Sequence, residues 1–181
     1  MSAASAAIIA SLGPGDLAKI PYTYSTDSIL LVVGPDGSMS IPTAPIKDYQ
    51  AGLLGSGNTP IIVPPGTDPN QFVWAGQYVA NNSPIPGGAS TTIFSMFNPI
   101  FGYNPKTNGI QYDQWGNVAF GLTGAEAGLS SGELQSGGFL GQVMVHGSFS
   151  NPPANQAAIQ TGFNLAGAVN SGSTLMLFNL P

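Results

Sequence analysis

The chain has one histidine, His146, at the end of the apolar run Phe139-Leu140-Gly141-Gln142-Val143-Met144-Val145. An imidazole titrates near neutrality and could act as a general base or a metal ligand. There is no cysteine and no second histidine, so thiolate and His-pair metal sites are excluded and a structural role is expected. Gly128-Leu129-Ser130-Ser131-Gly132 has the spacing of a serine-nucleophile elbow. That motif needs a strand before it and a helix after it. Here the surroundings read as a glycine-rich loop, and Glu133 alone could complete a Ser–acid–His order, so a chance match is expected. The eight carboxylates are Asp16, Asp27, Asp36, Asp48, Asp68, Asp113, Glu126 and Glu133. A glycosidase would need two of them facing each other across a cleft. Asp16, Asp36 and Asp68 stand instead in turn contexts, where an aspartate caps a nearby amide. No Asp-x-Asp-x-Asp calcium loop occurs, and no glycine-rich stretch carries a phosphate-loop lysine. These residues point away from an enzyme. No catalytic, cofactor-binding or metal-binding residue is assigned, and no cofactor is expected.

The charge itself is almost missing. The chain has no arginine, three lysines (Lys19, Lys47, Lys106), and 6% charged residues overall, against roughly 25% in an ordinary soluble domain. Its surface must be built from Asn, Gln, Ser, Thr, Gly and Pro. Such a surface is cheaper to desolvate against a neighbour than one bearing ions. This suggests a subunit made to be packed among others. A sequence pI of about 4.2 argues against nucleic acid as a partner, because that binding needs a positive surface. No run of apolar residues is long enough for a membrane span,. The N-terminus lacks the basic residues of a signal peptide, so a soluble product made in the cytoplasm is expected.

The elements that must position any site read as short β-type runs closed by Gly, Pro or Asn. Residues 28–33 lead into Gly34-Pro35-Asp36-Gly37 and then into 38–41, a hairpin signal,. Residues 60–63, 71–79, 91–97, 109–115, 118–122, 139–146 and 174–178 follow as further strand candidates. A helix of one or two turns is expected at 155–161, after Pro152-Pro153, and 124–129 reads as a loop. The expectation is an all-β domain over residues 16–181. It would be an antiparallel sandwich or barrel, jelly-roll-like among the options, with at most one or two short helices. Phe72, Trp74, Tyr78, Tyr112 and Trp115 read as core or interface anchors, or as the face of a carbohydrate-binding module.

A resemblance enters at Ser2-Ala3-Ala4-Ser5-Ala6-Ala7, at Val118-Ala119-Phe120-Gly121-Leu122-Thr123 and at Val143-Met144-Val145-His146-Gly147. The first is similar to the small-residue N-terminal arms of phage head decoration proteins. The other two resemble their short strands of small and apolar residues. The resemblance implies a capsid-cementing virion protein without catalytic activity, made in the host cytoplasm. It would bind the major capsid protein or like subunits and form a homo-oligomer, a trimer by family likeness. The alternatives are a jelly-roll coat protein that builds the shell, a fibre or pilus-like subunit, and a carbohydrate-binding module.

Residues 1–15 read as an arm set off by Gly13-Pro14-Gly15. Ile8, Ile9 and Leu12 carry most of its sizeable apolar groups and are the candidate subunit-interaction residues. Burying three such side chains gains about 4–8 kcal/mol, less than the cost of ordering about a dozen backbone residues. The arm would therefore need main-chain pairing with a neighbour's sheet edge.

Overall fold

The computed structural model describes residues 28–45, 57–83, 85, 87–98, 102–146 and 152–179. Among these, six short strands precede or follow five α-helices. The strands are β1 (Ser28–Val33), β2 (Met39–Ser40), β3 (Thr43–Pro45), β4 (Asn58–Pro60), β5 (Ile62–Val63) and β6 (Thr174–Asn179). The helices are α1 (Pro69–Asn82), α2 (Gly88–Met96), α3 (Asp113–Glu126), α4 (Ser131–His146) and α5 (Pro153–Asn170). The all-β sandwich or barrel over 16–181 is thus corrected: the fold is helix-rich, with small antiparallel sheets packed against the helices. The strand expectations at 71–79, 118–122 and 139–146 fall in helices and 91–97 overlaps α2, so that Val118–Thr123 and residues 143–146 of the decoration-protein resemblance are helical. The short helix expected at 155–161 lies in the N-terminal half of the longest described helix, 18 residues.

Local chemistry explains the starts of α1, α4 and α5. Asp68 is extended, its Oδ1 accepts from the Asn70 amide at 2.9 Å, and Pro69 occupies the first turn of α1. An aspartate cap followed by proline favours a helix, because proline needs no amide partner there. Pro69, Val73, Gly76 and Val79 are buried, a stripe at helical spacing. Pro153 likewise occupies the first turn of α5, there without a side-chain cap. Ser130 and Glu133 form a reciprocal cap on α4: the Ser130 amide and hydroxyl donate to Glu133 Oε2 at 2.8 and 2.7 Å,.

The sheet is built on β1. β6 pairs antiparallel along its whole length, from Ser28↔Asn179 to Val33↔Thr174. β2 and β5 share the opposite edge, at Val32–Val33 and Ser28–Ile29 respectively. The Asp36-Gly37 hairpin is present as expected, closed by the Gly34 amide on the Ser38 carbonyl at 2.7 Å. β1 is apolar without alternation because both its faces are buried, Leu30 on the helix side and Ile29 and Leu31 on the other,.

α3 is the centre of the molecule. Trp115, Val118, Ala119 and Leu122 pack with Leu30, Val63 and Leu175 of the sheet and with Ile61 between β4 and β5. Phe120 packs with Val79, Ile93, Leu134 and Ile159 of the other helices. Two glycines let α3 and α5 approach to backbone contact. A Cβ on Gly121 would strike the Ile159 carbonyl oxygen, and one on Gly162 would strike that of Val118 and lie 2.7 Å from the Leu122 nitrogen. Gln114 ties the β3–β4 pair to α3, its Nε2 donating to the carbonyls of Ala44 and Pro45 at 2.8 Å each.

Candidate functional site

The link from α2 to α3 folds back on itself before α3 begins. The Tyr103 amide donates to the Met96 carbonyl at 2.6 Å, and two short 3-10 turns, Pro105–Asn108 and Ile110–Tyr112, lead into Asp113. This return leaves a groove of about 390 Å³ between α2, the link, α3 and α4. α3 lines it with Asp113, Gly116, Asn117 and Phe120, a spacing of three, four and seven that puts all four on one helix face. α2 supplies Thr91, Phe94 and Ser95, and the link supplies Asn98, Tyr103 and Asn104. α4 presents mostly bare backbone, with Gly137, Gly138 and Gly141 beside Leu140 and Gln142.

The floor is aromatic and fixed. Trp115 Nε1 donates to the Tyr103 hydroxyl at 2.8 Å. Phe97 meets Tyr103 and Phe120 edge-on, at centroid separations of 5.9 and 5.6 Å. Burial pushes the Tyr103 phenol above its ordinary pKa, while hydrogen bonds with Trp115 and Thr67 pull the other way. The hydroxyl is therefore a neutral group at physiological pH. Asn117 is held by its Nδ2, which donates to the Asp113 carbonyl at 3.1 Å and to Asn155 Oδ1 at 3.3 Å.

Among the described residues that line the groove, Asp113 is the one ionisable carboxylate, and no Lys, His or Cys joins it. The described lining combines amides, hydroxyls and one carboxylate over an aromatic floor.

A second feature lies on α1, opposite its buried stripe. Trp74 and Tyr78 are 66% and 55% exposed, and their rings sit 5.5 Å apart. Ile85, Leu140 and Met176 are also at least half exposed.

The residues singled out from sequence fall as follows. Ile8, Ile9, Leu12 and the rest of the 1–15 arm lie outside the described residues. His146 is the last residue of α4. The Gly128–Gly132 motif is the joint between α3 and α4, where Ser130 is engaged by Glu133 as a cap. Asp68 caps α1, and Asp36 accepts from the Ser38 amide and hydroxyl in the hairpin turn. Glu126 is buried against α1 and accepts from Gln77 Nε2 at 2.9 Å. Of the five aromatics, Tyr112 and Trp115 are core. Phe72 packs on Tyr103 and Trp115, leaving Trp74 and Tyr78 as surface groups. The groove was missed because its signal, the Asp113–Phe120 face, exists only once that segment is read as a helix.

Among the described residues, no helix is long and apolar enough to cross a membrane, and no three carboxylate, histidine or cysteine side chains gather as a metal site. No protein family, no curated protein and no solved structure matches the chain.

Proposed function

We propose that this chain is a non-catalytic structural subunit of a virion that decorates or cements an icosahedral capsid by binding across neighbouring subunits. The observation that carries this is the Trp74–Tyr78 pair, two large rings held in the open on a chain that is 6% charged. Aromatic side chains are the usual anchors of protein interfaces, and few ion hydration shells surround them to oppose contact. Burying both rings contributes on the order of 3–6 kcal/mol, too little for one contact to offset association entropy. Several copies bound to several capsid subunits would add by avidity.

The jelly-roll coat alternative requires an all-β domain and goes with it. A fibre or pilus-like role keeps one specific support: among the described strands, β6 has β1 on one side and none on the other, an edge open to strand addition.

Electron microscopy of the expressed chain, with and without capsid shells, separates the readings. The proposal expects small closed oligomers that coat shells, and loss of coating in the double variant Trp74→Ser, Tyr78→Ser with unchanged circular dichroism. Filaments would favour strand addition. A chain that stays monomeric and ignores shells contradicts both.

A further inference from the structure

The link that carries the chain from α2 to α3 contains Asn108-Gly109, the one Asn-Gly pair in the sequence. We propose that Asn108 is a site of spontaneous covalent modification, converting through a cyclic succinimide to aspartate and isoaspartate. Asparagine is among the chemically labile residues, and here three local features favour the reaction. Asn108 and its neighbour Thr107 are exposed, so water and base reach the reacting atoms. Asn108 ends the 3-10 turn Pro105–Asn108, where hydrogen bonds are poorer than in an α-helix and the backbone can turn into the ring geometry. Gly109 has no Cβ to crowd the approach of its own nitrogen.

The step needs nothing beyond water and solvent base. The Gly109 amide nitrogen loses its proton and attacks Cγ of Asn108. The N–Cγ bond forms, the Cγ–Nδ2 bond breaks, and ammonia leaves. Water then opens the ring, at Cγ to give aspartate or at the main-chain carbonyl to give isoaspartate. Either product adds one negative charge to a chain whose formal net charge is −5,. Isoaspartate also reroutes the main chain through the side-chain carbon. That detour falls immediately before Gly109, whose carbonyl accepts from the Tyr112 amide at 3.1 Å at the approach to α3.

Other asparagines lack one condition or another. Asn98, Asn104 and Asn151 precede proline, which has no amide proton to lose. Asn117, Asn155 and Asn164 stand within α3 and α5, where α-helical bonds fix the dihedral that must turn. The side chain of Asn70 is tied to Asp68 Oδ1 at 3.0 Å and to the Leu175 carbonyl at 3.1 Å. That of Asn82 donates to the Tyr78 carbonyl at 2.8 Å.

The test is peptide mapping of the full chain, held in warm neutral buffer and sampled over days. Chymotrypsin, cutting after Tyr103 and Tyr112, releases residues 104–112 for mass spectrometry. The expected result is an aspartyl and an isoaspartyl form of this fragment, both appearing before any other asparagine is modified. Protein isoaspartate methyltransferase should label the incubated chain and leave Asn108→Gln, treated alike, unlabelled. A synthetic peptide of residues 104–112 gives the rate without the fold. The folded chain should convert no more than about tenfold more slowly, as a segment that opens easily would. A fragment that stays intact in the folded chain while the peptide converts would overturn the proposal. So would earlier modification of another asparagine, or aspartate formed without isoaspartate, because opening of the ring gives both.

Discussion

Replacing Gly162 by alanine should destabilise the protein, although alanine is the better helix former. In the middle of α5 the exchange gains roughly 1 kcal/mol of helix propensity. Against this, the new methyl would overlap the Val118 carbonyl oxygen and lie 2.7 Å from the Leu122 nitrogen. Both are backbone atoms of α3 and cannot swing aside as a side-chain tip would, so α3 and α5 must separate. Overpacking of this kind costs about 1–3 kcal/mol, and two rigid contacts put it near the upper end. The net loss is about 2 kcal/mol, or a fall in Tm of about 4–8 °C at this chain length. Gly167→Ala tests the same helix with the clash removed, because a Cβ there meets no atom of the described residues within 4 Å. It should raise Tm by about 2–4 °C. Thermal and urea unfolding of the two variants beside the parent would decide it. A Gly162→Ala protein as stable as Gly167→Ala would refute the close packing of α3 on α5.

The Glu133 cap predicts a pH response. Hydrogen bonds from the Ser130 amide and hydroxyl hold its carboxyl below the ordinary 4.5. Because the folded value lies below the unfolded one, the capping contribution is complete above the ordinary carboxylate range and is lost as pH falls through the lowered folded value. An NMR titration of Glu133 should give a midpoint under 4.5 that rises part of the way back in Ser130→Ala, and a parent midpoint at or above 4.5 contradicts the cap. Ser130→Ala should also cost about 1 kcal/mol in urea unfolding, and no change would deny the hydroxyl a role. Thr123 Oγ1 is buried with no partner among the described residues, so Thr123→Val should leave stability equal or raise it by up to about 1 kcal/mol. A loss of more than that would show that the hydroxyl is bonded.

The β1–β2 hairpin and β6 were legible because Asp36-Gly37 is local turn chemistry and the flanking runs are short and β-branched. The helices were not, for two physical reasons. A surface helix is usually recognised by charges opposite its apolar stripe, and this chain has almost none; α1 puts Gln77 and Asn81 where Lys or Glu would mark a polar face. The second reason is glycine. Gly121 stands inside the 118–122 strand candidate and Gly124 at the start of the stretch read as a loop, yet these two and Gly162 each fill a helix–helix contact where a Cβ would collide. Three start signals did stand in the sequence: Asp68-Pro69, Pro152-Pro153 and the Ser130-x-x-Glu133 spacing. The last was weighed as catalytic chemistry when it is a capping box. The groove could not be seen until its α3 face was helical. The rings of Trp74 and Tyr78 could be named, but strand spacing gave no means of separating them from the buried Trp115.

The measurement closest to the central claim is sedimentation velocity of the full chain at about 0.05 M and 1 M salt. Contacts made by apolar and uncharged polar groups are not screened by ions. The account predicts an oligomer whose size is the same at both salt concentrations and falls when Trp74 and Tyr78 are replaced by serine. A monomer at every concentration, or an oligomer that dissociates in 1 M salt, would contradict it.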